Sequence, residues 1–490
     1  MNLRSYILGA VFCVFALSAA PVRAQQQTPD QTQGPTPENP TEPIPAIRSP
    51  LASAADNGDD NNVNPQQMLP DTNSITGVQN LTLGSVPLAH NYIIPRVNIF
   101  ASADSNGLGS AGGTGWEAST SLVGGVDVYK ASERSTLMLN YLGGGSFSNN
   151  SEIGNAVIQQ LGVNEKLTWR RVTLTLIDQL AYIPESSFGY NGFSGIPLPG
   201  GGSTGLQNGF TPGDTILTTS GQRLTNSFAT QLDTQLSRRT SLTFVGGYTF
   251  MRYFDNDLLD LGDMIFQAGY NYQLSRTDTI AVLYRFSGYR YTDFGQSIND
   301  NVFQLTYAKR VTGRISFQIA AGPEYATFSE RINPNSTSGS GTTSGPNSEL
   351  LWSLNTSIQY ALARTNFMAA YSHGVSGGSG VLGGSIADTV TGSANHQFSR
   401  TLHGGLTFGY SRNQGLATDT ATPTSQTYDS LFGGVNFTRP FGRTLDLNVA
   451  YLAQHQSSNA GACVGTGCAP NVFVNEITVG LNWHHQPIAF

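Results

Sequence analysis

The sequence predicts an all-β protein: a transmembrane antiparallel β-barrel of about 18 strands, preceded by a disordered N-terminal tether. Three observations predict it. Charged residues make up 12% of the 490 residues, against about 25% in a typical soluble domain. Gly (56), Phe (25) and Tyr (20) are abundant, yet beyond the N-terminus no run approaches the roughly 18 apolar residues that a membrane helix needs. From Tyr92 onward, apolar residues alternate with small polar ones, as they must where one strand face meets lipid and the other meets water.

In chain order, the first element is MNLRSYILGAVFCVFALSAAPVRA. A basic start, an apolar run over Tyr6–Ala20 and a small-residue site ending at Ala24 read as a secretory signal peptide over 1–24. An uncleaved anchor is the alternative, but about 15 apolar residues is short for a bilayer. Residues 25–91 are rich in Pro, Gln, Asn and Asp. They cannot bury enough apolar surface to fold alone and read as a disordered periplasmic segment. The barrel is expected over 92–490.

The strands show clear phase. In LTFVGGYTF, Leu242, Phe244, Tyr248 and Phe250 oppose Thr243, Val245 and Thr249. In FQAGYNYQL, Phe266, Tyr270 and Tyr272 oppose Gln267, Asn271 and Gln273; in WSLNTSIQYAL, Trp352, Leu354, Ile358 and Tyr360 oppose Ser353, Asn355 and Gln359. Runs of about 9–11 residues suit a tilted strand crossing a bilayer.

Connections alternate in length. Arg239-Thr240, Arg276-Thr277, Arg364-Thr365, Arg400-Thr401 and Arg443-Thr444 recur in short turns, whereas 185–222, 329–348, 373–385, 413–427 and 457–471 are long and rich in small polar residues. Short turns on one side and long loops on the other is the pattern of outer-membrane barrels. More than half of the 25 Lys and Arg lie at or beside the short turns, where basic side chains keep their heads wet. A spacing near forty residues also admits a β-propeller, but a blade needs four short strands per period, and only two longer runs lie between successive Arg-Thr turns.

Cys463 and Cys468 fall in the last long loop. Export to an oxidising compartment predicts a disulfide between them; two thiols without nearby His make an incomplete metal site. Asp255, Asp257, Asp260 and Asp263 cluster in DNDLLDLGD, a weak calcium candidate that lacks EF-hand spacing and its closing Glu. YSHGVSGGSG contains G-x-S-x-G, but no helical pattern follows to build a nucleophile elbow. His373 and Ser376, three apart, point to opposite faces of a regular strand. No catalytic residue, cofactor or firm metal site is expected.

The face opposite the lipid-facing positions is the candidate pore lining: Gln231, Asp233, Gln235, Gln267, Asn271, Gln273, Arg285, Gln304, Asn355, Gln359 and Asn448. It is mostly amide, with few charges. Barrels of 16–18 strands normally leave an aqueous channel, whose selectivity depends on width and lining groups.

These features resemble Gram-negative outer-membrane β-barrel proteins, through the leader, the alternating runs, the turn and loop asymmetry and the terminal Phe490. The resemblance implies partners: outer-membrane lipid, and the barrel-assembly machinery reading the last strand. FVNEITVGLNWHHQPIAF departs from the family pattern. Ile477, Val479, Leu481 and Trp483 are out of phase with Phe490, and a bulge near Pro487 is needed to restore it.

The functional expectation is an outer-membrane, porin-like channel passing small hydrophilic, sugar-like solutes or exporting polysaccharide. The alternatives are a structural or adhesive barrel with surface-binding loops, or an outer-membrane lipase-type enzyme. A net charge of −7 offers nothing basic enough for nucleic acid. Residues 25–91 are too short and Pro-rich for a globular plug, and strands beginning at residue 92 leave no passenger domain.

Overall fold

The computed structural model describes residues 91–105, 115–149, 155–184, 216, 222–254, 259–291, 296–329, 347–362, 364–378, 382–399, 401–416, 426–459 and 471–490. They form β1 (Tyr92–Asp104), β2 (Glu117–Ala131), β3 (Ser135–Ser148), β4 (Ala156–Thr168), β5 (Val172–Pro184), β6 (Gln222–Gln235), β7 (Thr240–Tyr253), β8 (Leu261–Gln273), β9 (Asp278–Tyr291), β10 (Ser297–Arg310), β11 (Ile315–Phe328), β12 (Asn347–Ala361), β13 (Thr365–Ser376), β14 (Ser385–Gln397), β15 (His403–Gly415), β16 (Thr427–Phe441), β17 (Leu445–Ser458), β18 (Asn471–His484) and the short β19 (Ile488–Ala489). No helix among the described residues is long and apolar enough to cross a membrane, and this barrel crosses with strands.

Each strand pairs antiparallel with its sequence neighbours, and β1 closes the ring by pairing with β18, from Arg96↔His484 to Asp104↔Glu476. Closure removes the free edges that lipid cannot solvate. The strands are 12–15 residues long, enough to cross the hydrocarbon at a tilt.

Apolar side chains face outward. On β7, Phe244 and Tyr248 are exposed while Thr243 and Thr249 are buried; on β8, Met264, Phe266 and Tyr270 are exposed while Asp263, Gln267 and Asn271 are buried. This inversion of a soluble protein is what a bilayer solvent selects. Phe398 and Phe437 touch near the short-turn end, with ring centroids 6.1 Å apart, and Arg439 lies 5.2 Å from the Phe441 ring. Aromatic and basic groups thus mark that interface. The chain is an outer-membrane-type β-barrel.

Five of the short turns share one device. The amides of Thr277 and Asp278 both donate to Ser275 Oγ at 3.0 Å, and those of Arg314 and Ile315 to Thr312 Oγ1 at 3.1 Å. The amides of Arg239, Thr401 and Ser135 donate likewise to Ser237, Ser399 and Ser132, each at 3.2 Å. A hydroxyl at the first turn position satisfies amides that the reversal leaves unpaired. At three of the five Arg-Thr pairs, 239–240, 276–277 and 400–401, the pair flanks this hydroxyl turn.

The C-terminal phase problem is resolved by a bulge. Register along β1 shifts by one residue between His484, opposite Arg96, and Ala489, opposite Tyr92. His485 N–H donates to Pro95 O at 2.9 Å, and Phe490 N–H to Asn91 O at 3.2 Å. Ile488 and Phe490 therefore share the exposed side with Leu481 and Trp483, as one extra residue requires.

Candidate functional site: the inner wall

The inner wall is more charged and more apolar than the predicted amide lining. Arg285, on β9, lies with one Nη 3.4 Å from Asp300 Oδ2 on β10 and 3.7 Å from Glu324 Oε1 on β11. Asp263, on neighbouring β8, is buried too. All four share the phase of the buried polar residues, so period-two alternation on consecutive strands sets them in one lateral row. Across the ring, Arg96 on β1 is fully buried, with its guanidinium 3.3 Å from Asp127 on β2. Asn140 donates a hydrogen bond to the same carboxylate. Buried charges persist only when paired and hydrogen-bonded.

Of the predicted lining residues, Gln267, Asn271, Arg285, Gln304 and Asn448 are buried, and Gln231, Asp233, Gln235, Gln273, Asn355 and Gln359 are half-buried. Asn271 donates to Ser241 and Thr243, at 3.3 and 3.2 Å, and Gln304 to Ser353 at 2.9 Å. Thr438 donates to Asn448 at 2.8 Å and Gln231 to Asp233 at 2.7 Å. Of these residues only Arg285 enters the ionic row. Asp300 and Glu324, its partners, carry the inward parity of Gln304 and Gln318; that phase was the available signal.

Two apolar groups share the inner face. Phe100, Val123, Leu142 and Ile158, from β1 to β4, form one buried cluster. Met251, Tyr253, Leu261, Tyr289, Tyr291, Ile298, Ala326, Val375 and Leu416 form another toward the long-loop end. The connection between β13 and β14, expected as a flexible outer loop over 373–385, begins only after Ser376, and its described residues 377, 378 and 382–384 lie against the inner face. Tyr291 donates its hydroxyl to Gly377 O at 2.9 Å, and Gln296 Nε2 donates to Gly383 O at 2.9 Å. Gly378 and Gly384 adopt positive φ of 72° and 95°, a conformation that glycine reaches without steric cost. Leu382 then packs against Ile216 and Tyr428.

His373 and Ser376 are not brought together. His373 Nδ1 lies 2.7 Å from Asp388 Oδ1, and its ring stacks on Trp352 at 3.9 Å. Ser376 Oγ is buried 3.1 Å from Ser385 Oγ. Asp260 accepts the Tyr253 amide at 2.9 Å and Asp263 lies in the inner row; Asp255 and Asp257, like Cys463 and Cys468, lie outside the described residues. Among the described residues no three His, Cys, Asp or Glu gather as a metal site.

No protein-family model matches the chain, and no curated protein matches it in sequence. Several solved structures are similar over most of its length. OccK2 (OpdF) of Pseudomonas aeruginosa, in complex with glucuronate, is 11% identical with a TM-score of 0.43, covering 81% of this chain and 98% of that one. OccK1 (OpdK) of Pseudomonas aeruginosa is 12% identical with a TM-score of 0.39, covering 80% and 99%. OccAB3 of Acinetobacter baumannii is 10% identical with a TM-score of 0.41, covering 81% and 100%. At TM-scores this low, the likenesses say nothing about what the barrel passes.

Proposed function

We propose that the protein is a passive outer-membrane channel for small hydrophilic solutes. The observation that carries this reading is the closed ring of β1 to β18, a size at which barrels leave room for an aqueous path. The amides of Gln231, Gln235, Gln267, Asn271, Gln273, Gln304, Asn355, Gln359 and Asn448, with the Asp233 carboxylate, support a polar lining. Solutes rich in hydroxyls, sugar-like molecules or a polysaccharide chain in transit, match such a wall by hydrogen bonding. Arg285 with Asp300 and Glu324 places charge beside that path, and the described residues after β13 narrow its long-loop end. The reading is of a channel without catalysis.

A second reading, a structural barrel with a closed lumen, is favoured by the completely buried inner residues Val123, Ile158 and Ile298. Planar-bilayer recordings of the purified protein separate the two. A steady open current, with swelling of liposomes in neutral sugars, is expected of the channel. A silent barrel with no sugar entry overturns it in favour of the structural reading.

A further inference from the structure

Among the described residues the longest gap in the ladder lies between β12 and β13. β12 pairs with β11 along its whole length, from Ile315↔Tyr360 to Phe328↔Asn347. With β13 it pairs only between Ala361↔Asn366 and Leu354↔His373. Among the described residues, 347–353 have no paired strand neighbour on that side. β13 does not stop there: Gly374, Val375 and Ser376 continue, paired to Ala387, Ile386 and Ser385 of β14. Gly374 still lies beside Ser353 of β12, and beyond it the tip turns into the barrel. The Val375 amide, which regular pairing would direct to β12, donates to Glu324 Oε1 on β11 at 3.0 Å, and the Val375 side chain is buried in the inner apolar cluster. The wall is lapped over the long-loop half of β12 rather than hydrogen-bonded.

An unpaired strand edge at membrane depth is tolerated only where protein covers it or a cavity adjoins it. Here the seam connects two apolar regions. Inside, Leu351 of β12 packs against the cluster that holds Tyr289, Tyr291 and Val375. Outside, Leu350 and Trp352 are 74% and 51% exposed. Next to them lies a notch of about 660 Å³ lined by Tyr284, Asn301, Phe303, Pro323 and Tyr325. Pro323 and Tyr325 stand in register with Trp352 and Leu350, so the notch adjoins the outward face of β12, one strand from the seam. The notch follows from sequence: Pro323 has no amide for the ladder, and β10 and β11 are unpaired between Val302↔Glu324 and Leu305↔Ala321. Its volume is that of a small-molecule site. At its lower end the seam is fastened by the Trp352–His373 stack and the His373–Asp388 contact.

We propose that the β12–β13 seam is a lateral portal, through which a single-chain amphipath of the long-chain fatty-acid class passes between the barrel interior and the outer leaflet. A hydrophilic solute gains nothing by leaving through this wall. An apolar chain exchanges one greasy surface for another, and its polar head stays beside the unpaired β12 backbone. The route goes beyond the axial channel proposed above and stands or falls separately from it.

The test uses a staple. A Cβ at Gly374 would lie 3.5 Å from Ser353 Oγ and 3.2 Å from Glu324 Oε2, so Ser353→Cys with Gly374→Cys is within disulfide reach once the Glu324 carboxylate shifts slightly, in a chain carrying Cys463→Ser and Cys468→Ser. The chain is produced in outer membranes of cells that lack their own fatty-acid channel, and uptake of a fluorescent long-chain fatty acid is followed. Uptake several-fold above vector control is expected when the pair is reduced, falling to the control level when oxidised, with the same bilayer conductance in both states. Uptake indifferent to the staple, or never above control, overturns the portal. A photoactivatable fatty acid on the wild-type protein gives an independent reading. Labelling at Leu350, Trp352 or Tyr325 supports the portal, and labelling spread evenly around the outer wall overturns it.

Discussion

Arg285 shows what the inner wall demands of a single side chain. It is 3% exposed, with Asp300 and Glu324 on adjacent strands both fully buried. Removing one member of such a group leaves uncompensated charge, which costs about 3–5 kcal/mol, whereas the intact group adds little net stability. Arg285→Met is therefore expected to lower unfolding stability by about that amount, measured by denaturant titration in lipid vesicles. In any barrel that still conducts, the reversal potential should move toward cation preference, because two buried carboxylates beside the path then lack their cation. The sequence showed Arg285 through its phase on β9. It did not show that Asp300 and Glu324 are its partners, since residues on different strands meet only once register is known.

At the scale of elements, the turn chemistry was half legible. The Arg-Thr repeat marks the reversals, but the hydroxyl that holds them stands ahead of it, as Ser237, Ser275 and Ser399. Ser275→Ala removes the acceptor of two backbone amides that water can partly replace. A loss of about 1 kcal/mol is expected, read as a lower denaturant midpoint with unchanged slope. Loops were harder to read than strands. Composition identified 373–385 as Gly-rich, yet Tyr291 and Gln296, from other hairpins, hold Gly377 and Gly383 against the inner face. The unpaired half of β12 was not visible either, because alternation reports which face is apolar and not which neighbour supplies hydrogen bonds.

For the whole molecule, closure between the first and last strands is the decisive step, and one extra residue sets the phase at its end. Register shifts by one between β18 and β19, keeping Ile488 and Phe490 on the lipid side. Deleting Gln486 should remove the bulge yet keep both residues on the lipid side, since losing the extra residue brings them into unbroken phase with Leu481 and Trp483. The expected outcome is an unchanged fraction of heat-modifiable, membrane-inserted barrel on gels. A sharp fall, with the unfolded band increased, would show that the bulge itself, and not the phase it restores, is needed for assembly.

The sequence by itself determined the class of fold, the start of the first strand at Tyr92, the face each strand turns to lipid and the alternation of short turns with long loops. Those are local consequences of period-two patterning in a solvent that accepts apolar side chains outside. Only the tertiary structure decided what fills the barrel: the ionic row across β8 to β11, the apolar clusters on the inner face, the described residues after β13 that lie against it and the lapped seam at β12. Each depends on contacts between residues far apart in the chain, and alternation, which is blind to register, cannot encode them.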